Sequence, residues 1–523
     1  MCSPRWLIGL STLSLLVCAA SARAQQITPS DLLFLRLSTA TNQMAYEQGG
    51  GDIKPIAPLI AEASKAAATD PLKAYRAYTR ALVMLGGAAW TPESELPTAL
   101  DFTINAKALA PGDYLQARAT LIFDAPPAAE GPYRIELELL KADGSREAML
   151  DPGIVLGDVR TRRHGEFIGC AFDPSKLVSP GLHTIRATLK NAKGSALYQY
   201  YRSFFVINDF GKRIDALEKS IEALPDQNGP GVTTARYVVE ASRHAQTGYL
   251  GGPFQNLIGY LHTGYRARGL SASEVMDFDS ELTRATKLAD ALKDNRNAVE
   301  GLRGDIRLAY RSSFDGKLVP YRIYVPSSYD KSKKCPFIML LHGAGGDENN
   351  FLDRYEKMWP KLAEERGYII AAANGRGPVS GYVKENGAEQ DVLDVISLIE
   401  KNYSIDPARE YLAGHSMGAS GTWRLGFEYR ARFAALAPIA GTRPSPAIDQ
   451  ALAAGRKVPM IVVCGVKDAL VPVAGCRQVA DKLKAAGYDS KYLEYPDGDH
   501  LSVALTSIKD IFDWFDGHRK ESP

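Results

Sequence analysis

The sequence predicts an α/β protein: from residue 304 onward a mostly parallel sheet with helices on both faces, preceded by a module of short strands and by helical segments. Three observations carry this expectation. From Ile306 on, apolar strand-like runs alternate with amphipathic helical stretches. Gly414-His415-Ser416-Met417-Gly418 stands between one such run and one such stretch. Between residues 98 and 208 the pattern changes to short alternating runs punctuated by turn residues.

Along the last region the elements follow in order. A hairpin is expected over 306–310 and 319–325, and Pro336-Phe-Ile-Met-Leu-Leu341 is a fully apolar strand. A helix over 351–366, a strand over 368–373 and a helix over 388–402 come next. Glu410-Tyr-Leu-Ala413 enters the Gly-His-Ser-Met-Gly turn, and 419–429 leaves it as a helix with one apolar face. Val458-Pro-Met-Ile-Val-Val-Cys-Gly465 is β-branched and apolar, as a strand covered on both faces requires.

A serine on a tight strand-to-helix turn is lifted above the sheet edge, and flanking glycines leave room for the turn. The free N–H groups of the following helix then face the position where an oxyanion would form. A serine hydroxyl is a weak nucleophile until an imidazole takes its proton, and that imidazole needs a carboxylate to fix its tautomer. In α/β-hydrolases the chain order is serine, acid, histidine. After Ser416 only His500 and His518 remain. His518 lies in the polar tail, whereas His500 follows the strand-like Ser490-Lys-Tyr-Leu-Glu-Tyr in a turn-rich loop, so His500 is the expected base. Asp468, just past the 458–465 strand, is the expected acid. Asp497 and Asp499 are rivals that sit close to His500 in the same loop. His342-Gly-Ala-Gly-Gly346 after the apolar 336–341 strand suits an oxyanion turn, with the amides of Ala344 and Met417 as the pair. No Gly-Lys-Ser/Thr follows those glycines, which excludes a phosphate-binding loop.

Taken together, residues 306–515 resemble secreted α/β-hydrolase esterases of the polyhydroxybutyrate-depolymerase, feruloyl and acetylxylan esterase type, the carbohydrate esterase family one-like group. The matching stretches are Asp315-Gly-Lys-Leu-Val-Pro-Tyr-Arg-Ile-Tyr-Val-Pro326, Leu341-His-Gly-Ala-Gly-Gly-Asp347, Gly414-His-Ser-Met-Gly418 with Gly421-Thr-Trp423, and Arg432-Phe-Ala-Ala-Leu-Ala-Pro-Ile-Ala-Gly441. The resemblance implies ester hydrolysis through an acyl-enzyme, without a cofactor or metal. Ala419 departs from it, where many relatives carry a second glycine. Trp423, Trp359 and Tyr382 are candidates to line an acyl or sugar pocket, with core packing as the competing reading. Two other functions stay open. A peptidase of the prolyl-oligopeptidase type has the same triad and sheet, but usually carries a β-propeller, and no repeat of blade length occurs here. A non-catalytic binding protein on a hydrolase scaffold is the other, although such scaffolds tend to lose a triad position.

Composition sets the outer bounds. At 523 residues the chain has room for two to four domains. Its 62 Lys and Arg nearly balance 60 Asp and Glu, with no basic stripe, so nucleic acid is not an expected partner. Arg5, the apolar run 6–17 and Ser21-Ala-Arg-Ala24 read as a cleavable export signal over 1–24 rather than a permanent membrane span. Cys18 suggests lipidation, but Val17 before it is too large for such a site. Of the remaining cysteines, Cys464 and Cys476 either bridge and brace Asp468 or stay as buried thiols. None of Cys170, Cys335, Cys464 and Cys476 has metal-ligand spacing.

The division expected is a helical segment over 25–95, a β-sandwich resembling an immunoglobulin-like module over 96–208, a helical segment over 209–303 and the hydrolase over 304–523. Asp70-Pro71 suits a helix start, and Asp143-Gly, Asp151-Pro-Gly and Pro180-Gly suit turns between strands. Tyr198, Tyr200 and Tyr201 either form a surface platform or pack the core. The two helical blocks, flanking the sandwich in sequence, are expected to pack together.

Overall fold

The computed structural model describes residues 27–124, 132–141, 143–157, 167–171, 179–247, 276–294, 298–299, 301–442, 444–453, 455–468 and 470–520. The export-signal reading of 1–24 lies outside these residues. The chain divides into two compact units, one of residues 1–212 and 242–279, the other of 213–241 and 280–523. The first helical block, 25–95, falls in the first unit, and the second, 209–303, is divided between the two.

In the first unit, helices Pro29–Gln48, Ala57–Ala66 and Pro71–Leu85 precede the strands. Asp70 caps the third by accepting from the Lys73 amide, with proline at the first helical position. Strands β1 (Leu100–Ile104), β3 (Gln116–Leu121) and β6 (Phe167–Ala171) pair antiparallel. A second sheet runs β2-β8-β7-β4-β5, with β2 Ala108–Leu109, β4 Tyr133–Leu140, β5 Arg146–Gly157, β7 Gly181–Lys190 and β8 Ala196–Val206. Phe102 and Ala119 of the first sheet, Leu137, Ile185 and Tyr200 of the second, and Tyr75 and Tyr78 of a helix share one core. The period-two runs thus bury alternate residues, and the helices before them seal the same core. Tyr198 and Tyr200 belong to that core, and the Tyr200 hydroxyl donates to the Pro97 carbonyl at 2.9 Å.

The second unit is built on eight strands in the order β16-β15-β14-β13-β11-β12-β10-β9. These are β9 Gly304–Arg311, β10 Leu318–Val325, β11 Cys335–Leu341, β12 Ile369–Ala373, β13 Ile405–His415, β14 Ala435–Ile439, β15 Met460–Gly465 and β16 Ser490–Tyr495. The pairs β9–β10 and β10–β12 are antiparallel, and the others are parallel. Alternation along β11 explains why the run is wholly apolar. Phe337, Met339 and Leu341 face a core shared with helices Ala388–Asn402, Met417–Glu428 and Val473–Ala485. Ile338 and Leu340 face the other core, with helices Met358–Arg366 and Ile508–Asp516.

Residues 213–241, in the segment read from sequence as a separate helical block, belong to this unit. The Thr234 hydroxyl accepts from the Ala309 amide at 2.9 Å, and Thr233 donates to the Ala309 carbonyl at 2.9 Å. Both hydroxyls lie on helix Pro230–Thr247 and satisfy backbone groups of β9, the last strand of the sheet.

One expected helix is broken. In place of a continuous 351–366 helix, Asn350–Asp353 ends in a turn at Tyr355, Glu356 and Lys357, and a second helix starts at Met358. All three turn residues have positive φ, at 53°, 53° and 56°, which a right-handed helix cannot carry. No glycine marks the turn, so nothing in the local sequence announces it.

Candidate active site

The carboxyl ends of β11, β13, β15 and β16 carry the residues singled out from sequence. Ser416 follows β13 with φ 57° and ψ −113°, a strained conformation for a non-glycine residue. Its amide donates to the Ile439 carbonyl of β14 at 2.8 Å. The strain is held by close backbone packing. A Cβ on Gly418 would lie 1.9 Å from the Leu341 carbonyl oxygen, so only glycine lets helix Met417–Glu428 approach β11 this closely. A Cβ on Gly343 would lie 3.2 Å from the Ser416 Cβ and 3.1 Å from His415 Nδ1. The glycine turn after β11 therefore runs directly beside the serine.

Ser416, His500 and Asp468 are brought together in a hydrogen-bonded line. His500 Nε2 lies 2.8 Å from Ser416 Oγ, and its Nδ1 lies 2.8 Å from Asp468 Oδ2. The other Asp468 oxygen accepts from the amides of Leu470 and Val471, each at 2.8 Å. A carboxylate only accepts, so Nδ1 carries the ring hydrogen and Nε2 is left as an acceptor facing the serine hydroxyl. The Asp468 side chain is 1% exposed and that of His500 13%. The two loops are tied together by backbone bonds from Val466 to Tyr495 and from Lys467 to Gly498, at 3.0 and 2.9 Å. The rivals lie elsewhere: Asp497 is exposed and paired to Lys467 at 2.8 Å, and Asp499 accepts from the amides of Leu501 and Ser502.

Met417 is the first residue of its helix, where an amide has no intrahelical acceptor. Among the described residues no backbone carbonyl accepts from the amides of Met417 or Ala344. The turn bearing Ala344 is braced from behind. Gly345 donates to the Pro378 carbonyl at 2.8 Å, His342 Nε2 lies 2.8 Å from the Asn374 carbonyl, and Asn374 donates to Glu348 at 2.8 Å. Burial, with Asp347 adding to it, pushes the Glu348 carboxyl up to about 7.

The three aromatic candidates for a pocket are instead packed in the interior. Trp359 is fully buried against Phe351 and Phe512. Trp423 is buried with its indole N–H on the Thr442 hydroxyl at 3.0 Å. Tyr382 is buried as well, and its hydroxyl donates to the His342 carbonyl at 3.2 Å, which supports the glycine turn. Large aromatic rings gain most from full burial, so Trp359 and Trp423, on helices that face the sheet, are drawn inward rather than left on a cleft wall.

Two residues at the site have no role in the sequence reading. His415, 4% exposed, bonds the His500 main chain, and Tyr355 approaches its ring. The only sequence signal is the identity of the second residue of the Gly-His-Ser-Met-Gly run, a position the motif leaves free. Cys464 and Cys476 form a disulfide, which spans the segment holding Asp468. Among the described residues no cluster of His, Cys, Asp and Glu is arranged to hold a metal ion. A cavity of about 440 Å³ in the first unit holds none of the site residues, and its charges largely neutralise one another, Arg76 with Glu95 and Lys73 with Glu62.

Residues 316–501 match the family of putative esterases. A bifunctional acetylxylan esterase/xylanase of Neocallimastix patriciarum is 30% identical over 147 residues, 28% of this chain and 21% of that one. A dipeptidyl-peptidase 5 of Aspergillus fumigatus is 25% identical over 235 residues, 36% of this chain and 32% of that one. A probable feruloyl esterase C of Aspergillus flavus is 25% identical over 190 residues, covering 35% of this chain and 68% of the relative. The chain thus spans about a fifth and about a third of the first two relatives. Among the described residues no helix is long and apolar enough to cross a membrane.

Proposed function

We propose that this chain is an exported serine carboxylic-ester hydrolase acting on acyl, aryl or polymer-linked esters, including carbohydrate-linked ones. The observation that carries the reading is the hydrogen-bonded line from Ser416 Oγ through His500 to Asp468 Oδ2, at 2.8 Å on each side. Ser416 attacks the ester carbonyl while its proton passes to His500 Nε2. Asp468 keeps Nδ1 protonated and stabilises the imidazolium. The amides of Ala344 and Met417 receive the oxyanion. The imidazolium then gives its proton to the departing alkoxide, leaving an acyl-Ser416. Water, deprotonated by His500, releases the acid and restores the serine.

The dipeptidyl-peptidase among the relatives keeps an amidase reading alive as the alternative. One panel separates the two: 4-nitrophenyl acetate, acetyl-xylan, methyl ferulate and a polyhydroxyalkanoate against dipeptidyl 4-nitroanilides. Turnover of esters that vanishes in Ser416→Ala supports the esterase reading. Faster turnover of the anilides would replace it with the peptidase.

The export reading makes Gln25 the first residue of the mature chain, which N-terminal sequencing tests. In the same reading, 96–208 is an immunoglobulin-like sandwich that serves as an accessory module to the hydrolase. Its support is the pair of largely antiparallel sheets that share one core.

A further inference from the structure

The residue before the nucleophile bonds the main chain of the base. His415 ends β13, where it pairs in register with Ile439 of β14, so its backbone is fixed by the sheet. Its Nε2 lies 2.7 Å from the carbonyl oxygen of His500. A carbonyl only accepts, so Nε2 carries the hydrogen and donates it. On a neutral ring Nδ1 is then a bare acceptor, and the Tyr355 hydroxyl stands on that side at 3.4 Å. Gly343 closes the same side, since a Cβ there would lie 3.1 Å from Nδ1.

We propose that His415 is a positioning residue for the reaction: it ties the main chain of the His500 loop to the rigid end of β13, and Tyr355 fixes the plane of its ring. This inference rests on the reading of His500 as the base. Three features make a tie at this point matter. His500 sits in a turn, between β16 and the short helix Ser502–Thr506, and Leu501 next to it is 56% exposed. Asp468 and Ser416 hold the ring at its two nitrogens, but the height of the ring over Ser416 also depends on where the main chain that carries it is held. Displacement of the base by about 1 Å is enough to cost on the order of a hundredfold in rate.

The second feature is the strained turn that brings Tyr355 in. Tyr355, Glu356 and Lys357 are consecutive left-handed residues without a glycine. Such a conformation is unfavourable for residues with a side chain and persists where the surroundings over-determine it. Here those surroundings include the Tyr355 ring edge-on to His415, with centroids 6.2 Å apart, and Phe351 at 5.6 Å. The third feature is chemical. Burial, with His500 nearby, lowers the His415 pKa to about 4, so the ring stays neutral across the range in which His500 must act as a base.

The test uses the full chain with His415→Leu, His415→Gln and Tyr355→Phe. A glutamine amide reaches close to the position of Nε2 and restores the donor, whereas leucine fills similar space without one. His415→Leu should lower kcat on 4-nitrophenyl acetate on the order of a hundredfold with KM changed by less than about threefold. Glutamine should recover at least tenfold of that loss, and Tyr355→Phe should fall by a few-fold. Rates of fluorophosphonate labelling of Ser416 should follow the same order. Folded leucine and glutamine variants with equal turnover, or a leucine variant as active as the wild type, would overturn the proposal. Should the leucine variant not fold, nitrogen-15 histidine NMR of the wild-type protein decides. A neutral His415 protonated on Nε2 at pH 7 supports the tie, and the opposite tautomer removes it. If the wild type shows neither ester turnover nor labelling at Ser416, it is the functional reading that has failed, and the inference falls with it. If only the variants behave unexpectedly, that reading stands.

Discussion

Asp468→Asn is the substitution whose effect can be worked most directly from the geometry. One oxygen of Asp468 accepts two backbone amides, from Leu470 and Val471, and the other accepts from His500 Nδ1, all at 2.8 Å. An asparagine has one oxygen, and it must stay with the two amides. Turning its NH2 there would set donor against donor in a buried place, at about 1–3 kcal/mol for each unmet group. The NH2 therefore faces His500, whose Nδ1 can no longer donate. The ring shifts its hydrogen to Nε2, which then points an N–H at Ser416 Oγ and cannot take the serine proton. Loss of the acceptor form should cut kcat on the order of 10³- to 10⁴-fold, equivalent to about 4–5.5 kcal/mol in the barrier. KM should change little, because no ester contact is removed. Asp497→Asn touches only an exposed pair with Lys467 and should stay within about twofold. Asp499→Asn keeps an acceptor for the Leu501 and Ser502 amides and should stay within about threefold. The assay is kcat and KM on 4-nitrophenyl acetate, with a thermal melt for each variant. An Asp468→Asn enzyme within tenfold of the wild type, or an Asp499→Asn enzyme more damaged than it, would rule out Asp468 as the carboxylate that orients His500.

Other expectations follow from packing and charge. Gly418→Ala places a methyl 1.9 Å from the Leu341 carbonyl oxygen, so it should cost ~3 kcal/mol or more, read as a fall in the urea midpoint. Reduction of Cys464–Cys476, or Cys476→Ser, opens a loop with a sequence separation of 12 and should lower stability by ~3 kcal/mol, measured by denaturation with and without reductant. Turnover should fall with it, because Asp468 lies within that loop. Burial raises the Glu410 carboxyl to about 7, even though Arg432 lies 3.1 Å away. Its native pKa is above the unfolded value, so its contribution is fully present below about pH 4.5 and is lost as pH rises to about 7. Glu410→Gln should flatten that part of the stability profile, and an unchanged slope between pH 4.5 and 7 would count against the assignment.

What the sequence made legible is the part governed by period and order. Strands such as Phe337-Ile-Met-Leu-Leu341 are apolar throughout because alternate residues enter two different cores, and that is readable without coordinates. The same applies to Ser416, Asp468 and His500, each just beyond a strand-like run. Contacts that neither period, order nor a motif marks were not legible. Tyr355–Lys357 adopts left-handed backbone with no glycine because of what surrounds it, and a helical pattern ran straight through it. For Trp359, Trp423 and Tyr382 the sequence left pocket lining and core packing both open, because their depth is set by the helices and turns around them. Thr233 and Thr234 sit in an ordinary helix by sequence, and only their bonds to Ala309 show that this part of the chain belongs with the hydrolase sheet. His415 was hidden for a related reason: its partner is a main-chain carbonyl, which no residue type reveals.

Everything proposed for this chain turns on Ser416 being the nucleophile of an ester hydrolase. Labelling the full chain with a fluorophosphonate, followed by peptide mass spectrometry, addresses it most directly. A single stoichiometric adduct on Ser416 is expected, with loss of 4-nitrophenyl acetate turnover in parallel and slow labelling in Asp468→Asn. An adduct on any other residue, or ester turnover that survives complete labelling of Ser416, would contradict it.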